Sequence, residues 1–485
     1  MMDRDFDIVI VGGGVVGCAI AREFSRYKVN AVLLEKECDV AFGTSGRNSG
    51  VAHAGFYMQP GTLKAKTNVE GHIILPELCN DLDVPYKGIG KLVVAKGEDD
   101  ISYLEELKKQ GEQNGTRGLE IIDKDGIKKL EPSIQGVRAL HSPTSAILCP
   151  FTLTIALAEN AIMNGVRFSL DTEIKGIQND NGRFTVKTNK GEFTSDFVVN
   201  SAGLYADRIS EMAGISEYKI YPCRGEYHIL DRSKSALVNH LIYPVPAKDC
   251  AGLGVHLTPT VHGNIMLGPS AEYIGDNEDL GNSADVMNTL YKEAKELLPD
   301  IERRDFIRSF AGVRPKLISS GSDKPADFVI KEEFDGFINL VGIESPGLTA
   351  APAIAEMVVD IVKEKKDLEL NSNFNPKRKG IVKLNELSDK KKAELIRKNP
   401  NYGRVVCRCE TITQQEIIDA LDNPLGAVSL NSVKNRCRAG MGRCQGGFCS
   451  PKIVEIIEEI FKPGVDEITL KGKGSELFTG RVKHD

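Results

Sequence analysis

Cysteine is the residue type whose distribution in this chain most needs a chemical reason. Five of the eleven cysteines fall between Cys407 and Cys449, and the other six are scattered over the rest of the 485 residues. Cys407 and Cys409 form a C-x-C pair, Cys444 and Cys449 a C-x4-C pair, and 34 residues separate the pairs. A secreted disulfide framework would not be so lopsided. Two close thiolate pairs on short loops can instead surround soft metal ions. Structural zinc prefers C-x2-4-C spacing, and four-thiolate ligation of a [2Fe-2S] cluster suits a C-x-C pair better; free thiols are the third reading.

A second pattern stands at the other end of the chain. FDIVIVGGGVVGCAIAREF places an apolar, β-branched run at Ile8 to Val11 directly before Gly12, Gly14 and Gly17, and then a helix-forming stretch. Gly12 permits a tight turn, Gly14 lets backbone approach a pyrophosphate, and Gly17 lets the helix pack close to the strand. The helix N-terminus offers free N-H groups to the phosphates. A second apolar run, Asn30 to Leu34, ends in Glu35, where a carboxylate can accept the ribose hydroxyls of an adenosine. FAD is expected rather than NAD because the segment from Gly43 to Tyr57 is dense in small and hydroxyl residues. Thr44, Ser45, Asn48, Ser49 and Gly50 suit backbone running beside a pyrophosphate and an isoalloxazine ring. Ala21 fits the extended flavoprotein pattern, and Lys28 stands where a glycine is usual.

GRNSGVAHAGFYMQPGTLKA, FVVNSAGLYAD, FAGVRPKL and INLVGIESPGLTAAPAIAE together resemble the FAD-dependent oxidoreductases of the D-amino-acid oxidase superfamily. The likeness is to the branch holding L-2-hydroxyglutarate oxidases and anaerobic glycerol-3-phosphate dehydrogenases, and it spans most of residues 5 to 365. It implies that Ala202 and Gly203 return the chain to the flavin and that Arg314 binds substrate. Gly342, Gly347, Leu348 and Thr349 would let a second turn close on the flavin ring, with the following helix aimed at it; a helix N-terminus there favours the negative charge of a reduced flavin. The C-terminal segment, with RAGMGRCQG, resembles the bacterioferritin-associated ferredoxin-like [2Fe-2S] domains, in which the place of Cys437 is often threonine; Cys437 is therefore left outside the ligand set.

The implied chemistry is oxidation of the secondary alcohol of a small anionic substrate. Such a step needs a base near neutrality, and His53, inside the flavin-facing stretch, is the first candidate, with His256 the second. Arg314 can grip a carboxylate or phosphate through two parallel bonds; Arg224 and Tyr227 are the second choice for substrate binding. Glycerol 3-phosphate is the expected substrate because of the cluster module. L-2-hydroxyglutarate is the alternative, because GIESPGLTAAPAIAE lacks the lysine- and arginine-bearing motif of glycerol-3-phosphate enzymes. An electron-transfer subunit without its own substrate is the alternative of another class.

The elements that must position these residues follow. The expected fold is α/β: a Rossmann-like FAD-binding domain interleaved with an α+β substrate domain of mainly antiparallel sheet, plus a small helical [2Fe-2S] domain. The oxidoreductase region spans 1–372, with FAD-binding pieces at about 1–75, 145–215 and 310–372 and substrate pieces at about 76–144 and 216–309. A charged linker, 373–402, leads to the cluster domain, 403–460, and a tail, 461–485. With 62 basic and 68 acidic residues the net charge is -6, which argues against a nucleic-acid partner. No run of about 18 apolar residues suggests a membrane span. A cytoplasmic protein is expected, handing electrons to a second flavoprotein or other acceptor subunit, with any membrane contact made through that partner.

Overall fold

In the computed structural model, which describes residues 4–246, 254–318 and 325–480, the run DFDIVIV forms the strand Asp5–Val11. It pairs in parallel with Ala31–Leu34 on one side and with Gly191–Asn200 on the other. Arg167–Ser169 continues the parallel order beyond Ala31–Leu34, and Phe337–Val341 continues it beyond the end of Gly191–Asn200. Strand alternation divides the apolar residues between two faces. Ile8 and Ile10 pack on the helices Val15–Phe24, Pro150–Met163 and Gly347–Lys363, while Val9 and Val11 pack with Ile209 of the helix Ala206–Met212. A parallel sheet covered on both faces is the arrangement such continuous apolar strands require. Ile174–Asp180, Arg183–Thr188 and Val329–Phe334 extend it in antiparallel fashion to eight strands.

The second sheet has nine strands and is antiparallel except where Leu241–Pro244 lies beside Lys91–Ala95. Its longest ladder joins Ile220–Leu230 to Phe306–Leu317 along their whole lengths. That pairing moves one expected boundary: residues 310–317 belong to the substrate sheet and not to the flavin domain. A second boundary moves for a similar reason. The helix Leu63–Asp81 runs unbroken through the expected cut at 75/76 and packs on Gly347–Lys363, so the flavin-side layer extends beyond 76.

The connector is pinned for part of its length. Asn160 Nδ2 donates to the Asn375 carbonyl (3.0 Å), Arg378 Nε to Glu159 (2.6 Å), and Gly380 N to Asp83 (3.0 Å). The surface helix Asp389–Lys398 follows. A short hairpin, Val405–Cys407 with Ile412–Thr413, then opens the cluster module of three helices, Gln414–Leu421, Leu430–Cys437 and Ser450–Phe461. Thr413 and Glu416 cap the first of these reciprocally, as a Thr-x-x-Glu sequence allows. Ile417, Leu421, Val433, Ile453 and Ile457 make a separate small core. The tail is part of this unit: Leu430 N and Asn431 N donate to the carbonyls of Thr469 (3.2 Å) and Leu470 (2.9 Å). Among the described residues no helix is long and apolar enough to cross a membrane.

Candidate functional site

One cavity of about 1250 Å³ runs from the first glycine turn, between the two sheets, to the cluster module. At its first end Gly12 has φ +100°, and a Cβ there would lie 2.8 Å from the Ser201 carbonyl; a Cβ on Gly17 would lie 2.0 Å from the Gly12 carbonyl. Only glycine fits both places. Gly14 is the N-cap of Val15–Phe24, and Ser45 Oγ accepts from Val15 N at 2.9 Å. Glu35, at the end of the second strand, accepts from Gly13 N and from Glu37 N (2.8 Å). Burial still pushes its carboxyl up to about 7.

The flavin loop is ordered by its own polar groups. Asn48 Nδ2 donates to the Ser45 carbonyl (2.9 Å), Asn48 Oδ1 accepts from Gly50 N (2.9 Å), and Thr44 Oγ1 donates to the Val313 carbonyl (2.7 Å), tying the loop to the substrate sheet. Thr44, Ser45, Asn48 and Ser49 line the cavity, as do Ala202, Gly203, Gly347 and Leu348. Gly17, Gly50, Gly342 and Thr349 do not; they support the wall. Thr349 Oγ1 accepts from His53 N (3.0 Å) and donates to the Val51 carbonyl (3.3 Å). The helix Gly347–Lys363 therefore opens onto the cavity while holding His53 in place.

His53 and His256 both face this cavity, together with Tyr57 and Tyr243. His256 stacks on Tyr243, with ring centroids 3.4 Å apart. Behind His53 stands a residue the sequence did not reveal. Lys91 is fully buried, its Nζ lies 3.4 Å from His53 Nδ1 and 4.0 Å from the Tyr243 ring centroid, and burial lowers its amine to about 7. His53 in turn is held well below the usual histidine range by burial, then by Lys91 and His256. The only sequence signal was a lysine heading the apolar run KLVVA.

Arg314 lines the cavity, its guanidinium donating to the Ser270 carbonyl at 2.5 Å. Tyr227 lies on the adjoining strand, stacked on Phe310 at 4.8 Å. Arg224 is a correction. It faces the other side of the sheet, where Asp279 (2.5 Å), Glu272 (2.7 Å) and Glu226 (3.6 Å) occupy its guanidinium. Arg224 and Tyr227 are three residues apart on one strand, so alternation sends them to opposite faces. Lys64 and Lys316, absent from the sequence reading, also line the cavity and share Glu344 at 3.1 and 3.3 Å.

In the module the four expected thiols fall into two pairs, Cys407 with Cys449 and Cys409 with Cys444. The hydrogen bond from Cys449 holds the Cys407 thiol below its ordinary range. Among the described residues no three His, Cys, Asp or Glu side chains gather as a single-ion site does. Two thiol pairs match a two-iron cluster, which takes two thiolates on each iron. Cys437 stands apart, its Sγ donating to the Val433 carbonyl of its own helix (3.2 Å). The loop between the pairs faces inward as well: Arg438 and Met441 line the cavity. Arg438 and Arg232 converge on Glu410 at 2.8 and 3.4 Å, and Arg436 is buried against Asp39 (2.5 Å) and Glu159 (3.5 Å). The module is thus docked by ion pairs on both flanks of the cavity.

A glycine turn with a buried carboxylate at the end of the next strand, a loop of small and hydroxyl residues along the same cavity and a docked thiol module are the parts expected of a flavin oxidoreductase with an iron-sulfur extension. Residues 7–361 match the family FAD dependent oxidoreductase (DAO), and residues 405–459 match the BFD-like [2Fe-2S] binding domain. The chain belongs to this FAD-dependent oxidoreductase family, and its cofactors are FAD and a [2Fe-2S] cluster. It is 42% identical to a glycerol 3-phosphate dehydrogenase of Caloramator mitchellensis over 99% of both chains. An L-2-hydroxyglutarate dehydrogenase of Indibacter alkaliphilus is 32% identical, over 73% of this chain and 98% of its own. Among solved structures, the dithionite-reduced L-alpha-glycerophosphate oxidase of Mycoplasma pneumoniae with FAD bound superposes with a TM-score of 0.72 at 32% identity. It covers 78% of this chain and 99% of that one.

Proposed function

We propose that the protein is a dehydrogenase that oxidises glycerol 3-phosphate to dihydroxyacetone phosphate and passes the electrons through its cluster to a partner. The observation that carries the substrate is the 42% identity to a glycerol 3-phosphate dehydrogenase over flavin region and cluster module alike. The similar hydroxyglutarate enzymes cover only about three quarters of this chain. The segment Gly342 to Glu356 resembles their motif, which keeps L-2-hydroxyglutarate as the second reading.

Bound FAD supplies the hydride acceptor, and the [2Fe-2S] cluster a one-electron carrier beyond it. The chain's own residues do the rest. Arg314, fixed by the Ser270 carbonyl, holds the anionic end of the substrate. His53, uncharged because of its burial, takes the hydroxyl proton as the carbon gives up its hydride. Lys91 decides which nitrogen does so. As a neutral amine it accepts the proton of Nδ1 and leaves Nε2 basic; as an ammonium it donates to Nδ1 and reverses the tautomer. Tyr227 and Phe310 wall the site against water. Cys409 is exposed and Phe448, beside Cys449, is 80% exposed, so a cluster held by the four thiols would lie at a face suited to a second flavoprotein or other acceptor subunit. The described cysteines are all free, which suits a reducing cytoplasmic setting.

Steady-state turnover with an artificial acceptor tests the substrate. Glycerol 3-phosphate should be favoured over L-2-hydroxyglutarate in kcat/KM, and Arg314→Met should abolish the preference; a preference for the hydroxy acid would overturn the reading.

A further inference from the structure

Glu410, the residue after Cys409, is a buried carboxylate on which three parts of the chain converge. Arg438, from the module's own loop, donates to it through Nε at 2.8 Å. Arg232, from the substrate domain, lies 3.4 Å from the same carboxylate oxygen, and Asn385 of the connector donates to the Glu410 carbonyl at 3.2 Å. Thiols become negative when they bind iron, so a buried carboxylate beside them is costly unless cations offset it. Two guanidiniums do so here.

Arg438 reaches Glu410 from a strained place. It follows the helix Leu430–Cys437 as its C-cap, in the left-handed region at φ +69°, where a helix end ordinarily has glycine. Gly440, two residues on, is also left-handed, at φ +90°. An arginine at the first of these positions costs backbone energy that glycine would not, so the side chain is what the position needs.

The turn built in this way meets the expected cluster ligands. The N–H groups of Gly440 and of Glu410 both donate to the Cys407 thiol. Gly442 brings the same loop against the other member of the C-x-C pair: a Cβ there would lie 2.3 Å from Cys409 Cβ and 3.2 Å from Glu410 Oε1. One donor to Cys407 therefore comes from the segment carrying Glu410 and the other from the loop carrying Arg438. The ion pair between these two side chains closes both segments around one sulfur. Hydrogen bonds to a cluster sulfur favour the more negative, reduced state and so raise the potential.

We propose that Arg438 is a positioning residue for electron transfer: through Glu410 it holds both N–H donors on the Cys407 sulfur and raises the potential of the cluster, which favours electron flow from the flavin. Arg232 ties the same carboxylate to the substrate domain. The role rests on Cys407 being a ligand of the [2Fe-2S] cluster and on no particular substrate.

The full-length holoenzyme is titrated with redox mediators while the reduced cluster is followed by electron paramagnetic resonance. The couplings of its exchangeable protons are read by electron-nuclear double resonance in light and heavy water. Arg438→Gly removes the side chain and leaves a residue suited to the left-handed backbone. It should lower the cluster potential by about 59 mV or more, a tenfold shift of a one-electron equilibrium, and weaken the N–H couplings, with iron per chain unchanged. Arg438→Lys should restore most of both. A lowered potential with unchanged couplings would leave only the charge of Arg438 at work and overturn the positioning role. An unchanged potential in iron-replete Arg438→Gly would overturn the proposal altogether. Should Arg438→Gly lose iron, Arg438→Asn, which also tolerates the left-handed region, repeats the measurement; loss of iron from both would make Arg438 a structural residue only, against the proposal. Cys407→Ser tests the ligand reading separately: unchanged iron and an unchanged spectrum there would remove Cys407 from the ligand set, whatever the Arg438 variants do.

Discussion

Lys91 is the residue on which the acid-base account turns. Its amine titrates near 7 in the folded protein against 10.5 ordinarily, and only the neutral amine leaves His53 Nε2 basic. The kcat/KM profile should therefore rise through about pH 7 as Lys91 loses its proton. Lys91→Met should lower the rate and remove that limb; a limb that persists in the variant would belong to another group. Stability gives the second readout. Between 7 and 10.5 the unfolded chain binds a proton that the folded one does not, so Lys91 makes stability rise with pH across that window, and Lys91→Met should flatten this slope in urea denaturation. None of this was legible in sequence. KLVVA reads as a strand with a solvated lysine at its head, and the burial comes from Phe56, Tyr57 and Tyr243, which other parts of the chain deliver. By contrast Gly12, Gly14, Gly17 and Glu35 were legible, because strand, turn and helix are contiguous and the spacing alone fixes them.

At the scale of elements, the seam between Leu63–Asp81 and Gly347–Lys363 bears on the site directly. A Cβ on Gly71 would lie 2.1 Å from the Thr349 carbonyl, and Thr349 is the residue that holds His53 N. Gly71→Ala should therefore cost about 1–3 kcal/mol of stability, as overpacking does, and should also lower kcat by displacing His53. A stability loss with kcat unchanged would separate the seam from the site. Alternation explains both what the sequence revealed here and what it hid. Adjacent residues of a strand face opposite ways, and His228, next to Tyr227, stacks on Phe306 at 4.2 Å on the far face. The same rule, applied to Arg224, would have removed it from the substrate set. The domain cut at 310 failed for a different reason, since only the long-range ladder between Ile220–Leu230 and Phe306–Leu317 reveals which sheet claims those residues.

For the whole molecule, the question is what joins the flavin region to the cluster. Composition announced a charged linker, and it could not show that the contact is made by Arg436, buried at 2% exposure against Asp39, which is itself wholly buried. Breaking a buried ion pair by removing one partner costs about 3–5 kcal/mol. Arg436→Met should thus loosen the module, seen as faster proteolysis between residues 381 and 402 and slower electron transfer from flavin to cluster, with substrate bleaching of the flavin retained. The central claim is that one chain couples oxidation of an anionic alcohol to its own cluster. Anaerobic titration of the holoenzyme with glycerol 3-phosphate tests it most directly, with the flavin followed in the visible and the cluster by electron paramagnetic resonance. The account predicts that the flavin bleaches and the signal of a reduced [2Fe-2S] centre then appears. A flavin that stays oxidised, or one that bleaches while the cluster of every molecule remains oxidised, would contradict it.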